Sequence, residues 1–365
     1  MSSRNIVILD TNVIVQSFWM NSGAFLILLE NIKIAADDLI IPEVVFDESI
    51  SQFEKKFNEQ LEKIVTPIGK IEQQLNIGFN ILEKLDFDKK MGEYRDYLED
   101  MIAGHSIIKL EYPEVPHSLI ARKYMKREKP FNNKGEGYCD ALIWENVVGL
   151  LENDGCESVT LITSNSKDFC EGKELHPELY KELEQRGISP DKIQIYTSLK
   201  EFNEDKIMPK LELSESLKAQ INENRFDDFN LSDWLEDKLF DLLNDNSRML
   251  SYMFLKTTIG DFHLSEVYDV SNISALNVRY INANTRYVDL EADLFITAEI
   301  CADWQEYKTN EIIKHLFDEN KELPTPYACV SISDSIRVKL ALIVEGDAIE
   351  KSKIEIMAII KSNHS

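Results

Sequence analysis

The stretch NIVILDTNVIV near the amino terminus restricts the fold more than any other segment. Ile6 to Leu9 form a short, β-branched apolar run, as in a strand buried on both faces, and the run stops directly on Asp10 with no turn residue between. A strand that is apolar all round needs a covering layer on each side, which a helix-flanked parallel sheet supplies. DDLIIPE, SVTLIT and IQIY are further runs of this kind. Helical patterns lie between them: AFLILLENI, a long helix from Val44, most of 68–110 with Gly78, Gly92 and Gly104 as breaks, CDALIWENVVGLL and HPELYKELEQRG. In the helix from Val44, Phe46, Ile50, Phe53, Phe57, Leu61 and Ile64 recur every three or four residues and read as core. YPEVPHS reads as a loop with Ser118 capping the next helix, and KPFNNKGEGY as a polar loop.

The pattern changes after about residue 205. The helical segments SESLKAQINEN and LSDWLEDKLFDLLN are followed by SEVYDVSNISALNVRYI, RYVDLEADLFITAEI, PYACVSISDSIRVKLALIV and SKIEIMAII. Alternation without intervening helices predicts an antiparallel sheet with one wet face. The expected organisation is an α/β domain over 1–205, three α/β/α layers around a central parallel sheet, with a helical insertion at about 51–130. A smaller α+β domain over 206–365 follows, with Trp234 and Trp304 in its core.

The net charge is −25, and it is spread evenly: 36 acidic and 23 basic residues precede Asp205, with 29 and 17 from there onward. Such a field disfavours indiscriminate binding to nucleic acid or anionic membranes, but not an enzyme whose contacts are concentrated in one patch. No apolar run approaches the ~20 residues of a bilayer crossing. MSSRNIVILD is too short in its apolar part for a signal peptide, so a cytoplasmic protein without membrane attachment is expected. The five cysteines are odd in number and contain no C-x-x-C pair, which predicts reduced thiols. The six histidines show no H-x-x-x-H spacing, so a zinc hydrolase lacks support.

In a parallel sheet, ligands bind beyond the carboxyl ends of the strands. Asp10 sits at one such end, where a helix N-cap is the simplest alternative role. SVTLIT ends in Thr163, followed by Ser164 and Asn165, with the loop acid Asp168 just beyond. On the helix after KPFNNKGEGY the apolar line Ile143, Trp144, Val147, Leu150 and Leu151 steps back to Asp140, which puts a carboxylate on the inward stripe of the first turn. A desolvated charge needs a partner or a metal, the alternative being a simple complement to the helix N-terminus. Glu48 lies off the Phe46–Ile64 stripe and by periodicity faces solvent, with Glu43 and Asp47 competing for any role. Carboxylates converging on one pocket repel one another, and a hard divalent cation, Mg²⁺ or Mn²⁺, suits oxygen donors that keep some of its water.

VILDTNVIV, IPEVVFDE, GYCDALIWENV and VTLITSNSKDF in this order resemble a PIN domain, the metal-dependent ribonuclease fold related to flap endonucleases. The resemblance covers roughly residues 4–205, and the GYCDALIW element is similar to PIN-like domains of larger bacterial proteins. It implies an endoribonuclease with metal-site acids at Asp10, Glu48, Asp140 and Asp168, Glu48 being carried over against its periodicity. Asn12, Thr163 and Ser164 would orient the acids or the scissile phosphate. Asn165 stands where many relatives have an Asp, so either Asp168 supplies the fourth carboxylate or a second metal site is weak.

RNA is the expected partner, with single-stranded or structured DNA as the alternative substrate. The densest basic stretch, ARKYMKREKPFNNKGEGY, leads straight to Asp140. Lys123, Lys126, Arg127 and Lys134 are its candidate phosphate contacts, with Tyr124 and Phe131 as stacking platforms. The second domain would recognise substrate, regulate or dimerise, which leaves a homodimer open. Two other readings compete: an interaction module with an incomplete site, favoured by Asn165, and a phosphohydrolase or phosphoacceptor domain. The last usually presents a second Asp beside the first, where this chain has Thr11 and Asn12.

Overall fold

The computed structural model describes residues 4–75, 87–172, 174–226, 229–255, 261–320, 327–346 and 348–361. The chain divides into two units, Met1–Pro209 and Lys210–Ser365.

In the first unit, β1 (Arg4–Leu9) runs into the short α1 (Thr11–Gln16), followed by α2 (Gly23–Ala35), β2 (Asp38–Pro42) and the 33-residue α3 (Glu43–Leu75). Next come α4 (Phe87–Gly104), β3 (Ile108–Leu110), α5 (His117–Lys126), α6 (Tyr138–Leu151) and β4 (Cys156–Ile162). The one-turn α7 (Ser166–Phe169), a hairpin of β5 (Cys170–Glu171) and β6 (Glu174–Leu175), α8 (Pro177–Gln185), β7 (Ile193–Tyr196) and α9 (Leu199–Phe202) complete it. The main sheet is parallel, in the order β3-β2-β1-β4-β7. From β1 the chain builds outward through β2 and β3, then returns to the other side of β1 with β4. The switch point therefore lies between β1 and β4, and a ligand crevice is expected beyond the carboxyl ends of these two strands. Ile8, Leu9, Val159, Leu161 and Ile162 are fully buried, as expected of strands covered on both faces.

Four details differ from the sequence reading. Residues 108–110 form a strand, because Ile108 pairs with Ile40 at the free edge of β2. Helix α5 starts at His117 with Pro116 at its N-cap, so Ser118 lies inside the helix. The apolar stripe of α3 is core only at its start: Phe46 is buried and Phe53 stacks on Tyr94 of α4 at 4.0 Å, but Ile64 is 51% exposed. Gly78 lies outside the described residues, while Gly92 sits inside α4 without breaking it.

The second unit begins within α10 (Met208–Glu223) and continues with α11 (Leu231–Asp245) and α12 (Ser247–Leu255). The long β8 (Asp261–Asn282) and β9 (Thr285–Asp303) follow, then α13 (Trp304–Thr309), α14 (Glu311–Glu319), β10 (Tyr327–Glu345) and β11 (Lys353–Lys361). The sheet is antiparallel, in the order β11-β10-β9-β8. Leu231, Leu235, Leu239 and Leu243 recur every four residues along α11 and pack in one core with Val288, Leu290, Leu294 and Ile296 of β9. The alternate residues of β9 form the wetter face, where Arg337 grips Asp293 through Nε at 2.6 Å and Nη2 at 2.9 Å. Trp234 packs against the core, whereas Trp304 is 41% exposed and stacks on Tyr307.

The cysteines correct another expectation. Cys301 and Cys329 stand directly opposite each other across β9 and β10 and form a disulfide, leaving Cys139, Cys156 and Cys170 free. Composition could not reveal the pair, because only strand register brings positions 28 apart face to face.

Candidate active site

The crevice at the switch point is built from the ends of β1 and β4 and the starts of α3 and α6. Asp10 follows β1 immediately; its main-chain N–H donates to the Ile162 carbonyl of the neighbouring strand at 3.0 Å. It occupies the N-cap position of α1, yet its side chain caps nothing. The Oδ2 atom instead accepts a short hydrogen bond from Thr163 Oγ1 and a longer one from Asn12 Nδ2 at 3.4 Å. The carboxyl is only 1% exposed. Burial raises its pKa above the usual 3.8, with Glu48 repulsion adding to the rise, while the Thr163 and Asn12 bonds oppose it.

Asp140 lies in the first turn of α6, where the exposed N–H groups and the helix dipole favour an anion. Gly137 caps this helix with φ +115°; a Cβ there would meet the Pro130 carbonyl oxygen at 2.9 Å and Asp140 Oδ2 at 3.4 Å. Glycine is therefore what lets the loop cross close above the carboxylate. Asn165 Nδ2 donates to both Asp140 oxygens, at 3.3 and 3.4 Å. Burial, then repulsion from Asp10, pushes the Asp140 pKa up to about 7, against the Asn165 bond and with Asp168 and Glu48 adding to the rise.

Glu48, on the first turns of α3, is half-buried and accepts from Thr11 Oγ1 at 2.7 Å. Its periodicity pointed to solvent; Thr11, directly after Asp10, draws it to the crevice. Asp47, one residue earlier, is exposed and accepts from Tyr112 OH at 2.9 Å, while Glu43 pairs with Lys109. Asp168 lies on α7, not in an open loop, and its Oδ1 is 3.1 Å from Lys129 Nζ. Cys139, beside Asp140, was not a site candidate, yet its thiol bonds to Glu48 and is pushed up to about 12 by burial and by Glu48. The only available signal was its adjacency to Asp140.

The basic stretch divides. Lys123 is 6% exposed, its ammonium bound by Glu145 Oε1 at 2.7 Å and Glu182 at 2.8 and 2.9 Å; Arg186 closes the network on Glu145 at 2.8 Å. It is a core ion pair, which corrects its candidacy as a phosphate contact: the spacing of α5 turns it inward onto α6 and α8. Phe131 is likewise buried and no stacking platform, whereas Tyr124 is 46% exposed beneath the Arg127 guanidinium. Lys126, Arg127 and Lys134 are exposed, as are Asn12 and Ser164. A cavity of about 560 Å³ beside Asp168 is lined by Arg127, Lys129, Asn165, Lys167 and His176. Another, of about 520 Å³, continues along α5 and α8 with Arg122, Lys126, Lys129, Lys181 and Arg186.

Oxygen donors dominate the crevice, and no cation figures among the groups acting on Asp10 or Asp140. Two buried carboxylates at one crevice, with Asp10 raising the proton affinity of Asp140, suit a hard divalent ion. Among the described residues no group of three or more His, Cys, Asp or Glu side chains is set to hold an ion.

An open parallel sheet with acids gathered at its switch point defines an α/β domain with a carboxylate site. Residues 7–169 match the family model of the PIN domain, and this segment of the chain is a PIN domain. PIN domains are generally metal-dependent nucleases. No curated protein and no solved structure matches the chain. Among the described residues, no helix is long and apolar enough to cross a membrane.

Proposed function

We propose that the chain is a metal-dependent endoribonuclease that hydrolyses phosphodiester bonds at the crevice of Asp10, Glu48 and Asp140. The observation that carries this reading is that Asp10 and Asp140 are gathered at one crevice by a chain of neutral donors: Thr163 Oγ1 donates to Asp10 and accepts from the Asn165 N–H, while Asn165 Nδ2 donates to Asp140. Mg²⁺ or Mn²⁺ held by these acids and water would supply an activated water and charge neutralisation at phosphorus. The protein's own part is orientation. Thr163 and Asn12 fix Asp10, Thr11 fixes Glu48, and Asn165 fixes Asp140, so the acids keep their positions before substrate arrives. Arg127 and Lys167 in the cavity beside Asp168, and Arg122 and Lys181 among Glu128, Glu178 and Glu182 in the one along α5 and α8, would give an RNA backbone a route across an otherwise acidic protein. Exposed Lys126, Arg127 and Lys134 add phosphate contacts, and Ser164 lies beside Thr163 at the same rim.

The test is Mn²⁺-dependent cleavage of fluorescently labelled single-stranded RNA, with DNA of equal sequence in parallel. Asp10→Asn and Asp140→Asn each abolish cleavage while the fold is retained. Cleavage that survives both substitutions overturns the reading; faster cleavage of the DNA reassigns the substrate.

A second reading, an interaction module with an incomplete site, draws on Asn165 in place of an acid and on Asp168 being already paired. Calorimetric titration with Mn²⁺ separates the two, since a dead pocket shows no carboxylate-dependent binding.

A further inference from the structure

Asp168 differs from the other three acids in its partner. Asp10, Glu48 and Asp140 accept hydrogen bonds from hydroxyl, thiol and amide groups, all neutral. Among the described residues, Asp168 alone of the four meets a cation, Lys129, at 3.1 Å. That lysine is held at both ends. Its ammonium also donates to the Lys167 carbonyl at 2.8 Å, and its main-chain N–H donates to Glu178 Oε2 at 2.9 Å. The side chains are 19% and 13% exposed, so the pair is only weakly screened. It joins the loop after α5 to α7, 39 residues away, and Asp168 remains close enough to Asp140 to act on its proton affinity.

A two-metal phosphodiesterase needs a second set of acids beside the first. Here that side of the crevice offers Asn165, a neutral donor, and an Asp168 whose charge is already met. We propose that Lys129 is a positioning residue that replaces a second metal ion: by holding Asp168, it limits the site to one divalent cation. The inference rests on the metal-dependent reading above. Lys129 contributes a single positive charge that cannot dissociate, in place of a second ion that exchanges with solvent. Removing the ammonium leaves a largely buried carboxylate unpaired next to Asp140, a setting that recruits a cation.

The experiment is Mn²⁺ titration of the full chain by calorimetry, with the electron paramagnetic resonance of free Mn²⁺ as an independent count. The wild-type chain binds one ion. Asp168→Asn still binds one, with affinity within threefold, because Asp168 is not a ligand. Lys129→Gln binds two, Lys129→Arg binds one, and Lys129→Gln combined with Asp168→Asn returns to one. Circular dichroism checks that each variant is folded; if Lys129→Gln is not, the wild-type count and Asp168→Asn decide. Two ions in the wild type, a tenfold or greater loss of affinity in Asp168→Asn, or one ion in folded Lys129→Gln overturns the inference and leaves the nuclease reading standing. No carboxylate-dependent ion in the wild type sinks both.

Discussion

Replacing Asp140 by Asn tests the electrostatics of the crevice without any substrate. The two side chains are nearly isosteric, and Asn retains an oxygen to accept from Asn165. In the native state the Asp140 pKa rises from 3.8 to about 7. At ~1.4 kcal/mol per pH unit this amounts to about 4 kcal/mol of strain in the ionised form, an upper bound. Partial solvent access and local relaxation reduce it to about 2 kcal/mol. The sign follows from linkage. Between pH 3.8 and about 7 the folded chain binds a proton that the unfolded chain has lost, so this group's contribution to stability falls as pH rises through that window, then levels off. Asn carries no such dependence. The variant should match the wild type near pH 4 and exceed it by about 2 kcal/mol at pH 8, worth about 4–8 °C for a unit of this size. Scanning calorimetry of the full chain in EDTA at both pH values measures it, and Mn²⁺ should reverse the order by stabilising the wild type alone. A difference that is flat between pH 4 and 8, or an Asn variant that is the less stable at pH 8, refutes the argument.

Thr163→Val removes the donor to Asp10 and the acceptor for the Asn165 N–H; it should cost about 1–3 kcal/mol in urea unfolding and slow cleavage about 10–100-fold. Lys123→Met leaves the fully buried Glu145 with Arg186 alone and should destabilise by about 3–5 kcal/mol. Lys126→Ala with Arg127→Ala should instead keep stability within about 0.5 kcal/mol and lower the salt slope of RNA binding by about 1–2, read by fluorescence anisotropy. Denatured without reductant, the chain should show three thiols in a colorimetric assay and five after reduction, because Cys301 and Cys329 are bonded.

The strands and helices of the sheet were legible because their residues carry the relevant period themselves. Ile6–Leu9 are apolar at every position and Val159–Ile162 at all but Thr160, as suits strands covered on both faces, and the leucines of α11 repeat at helical spacing. Asp10 and Asp140 were legible for the same reason, since each interrupts an apolar pattern where a charge is costly. Where the pattern misled, an outside partner decided. Residues 108–110 became a strand because β2 had an open edge, and the stripe of α3 is core only where α4 lies against it.

Local sequence alone thus determined the alternating layers of the first unit, the antiparallel character of the second, and two acids at the strand and helix ends. Tertiary structure decided which charges are free. Lys123 and Lys126 lie three residues apart, yet one is locked in the core and the other is exposed; Glu48 enters the crevice through Thr11, and Asp168 is held by Lys129. A side chain's backbone environment repeats with its own element and can be read from a few neighbours. The partners that decide these charges sit 22 to 153 residues away, from Lys123 and Glu145 to Asp10 and Thr163, and only the folded chain brings them within hydrogen-bond reach.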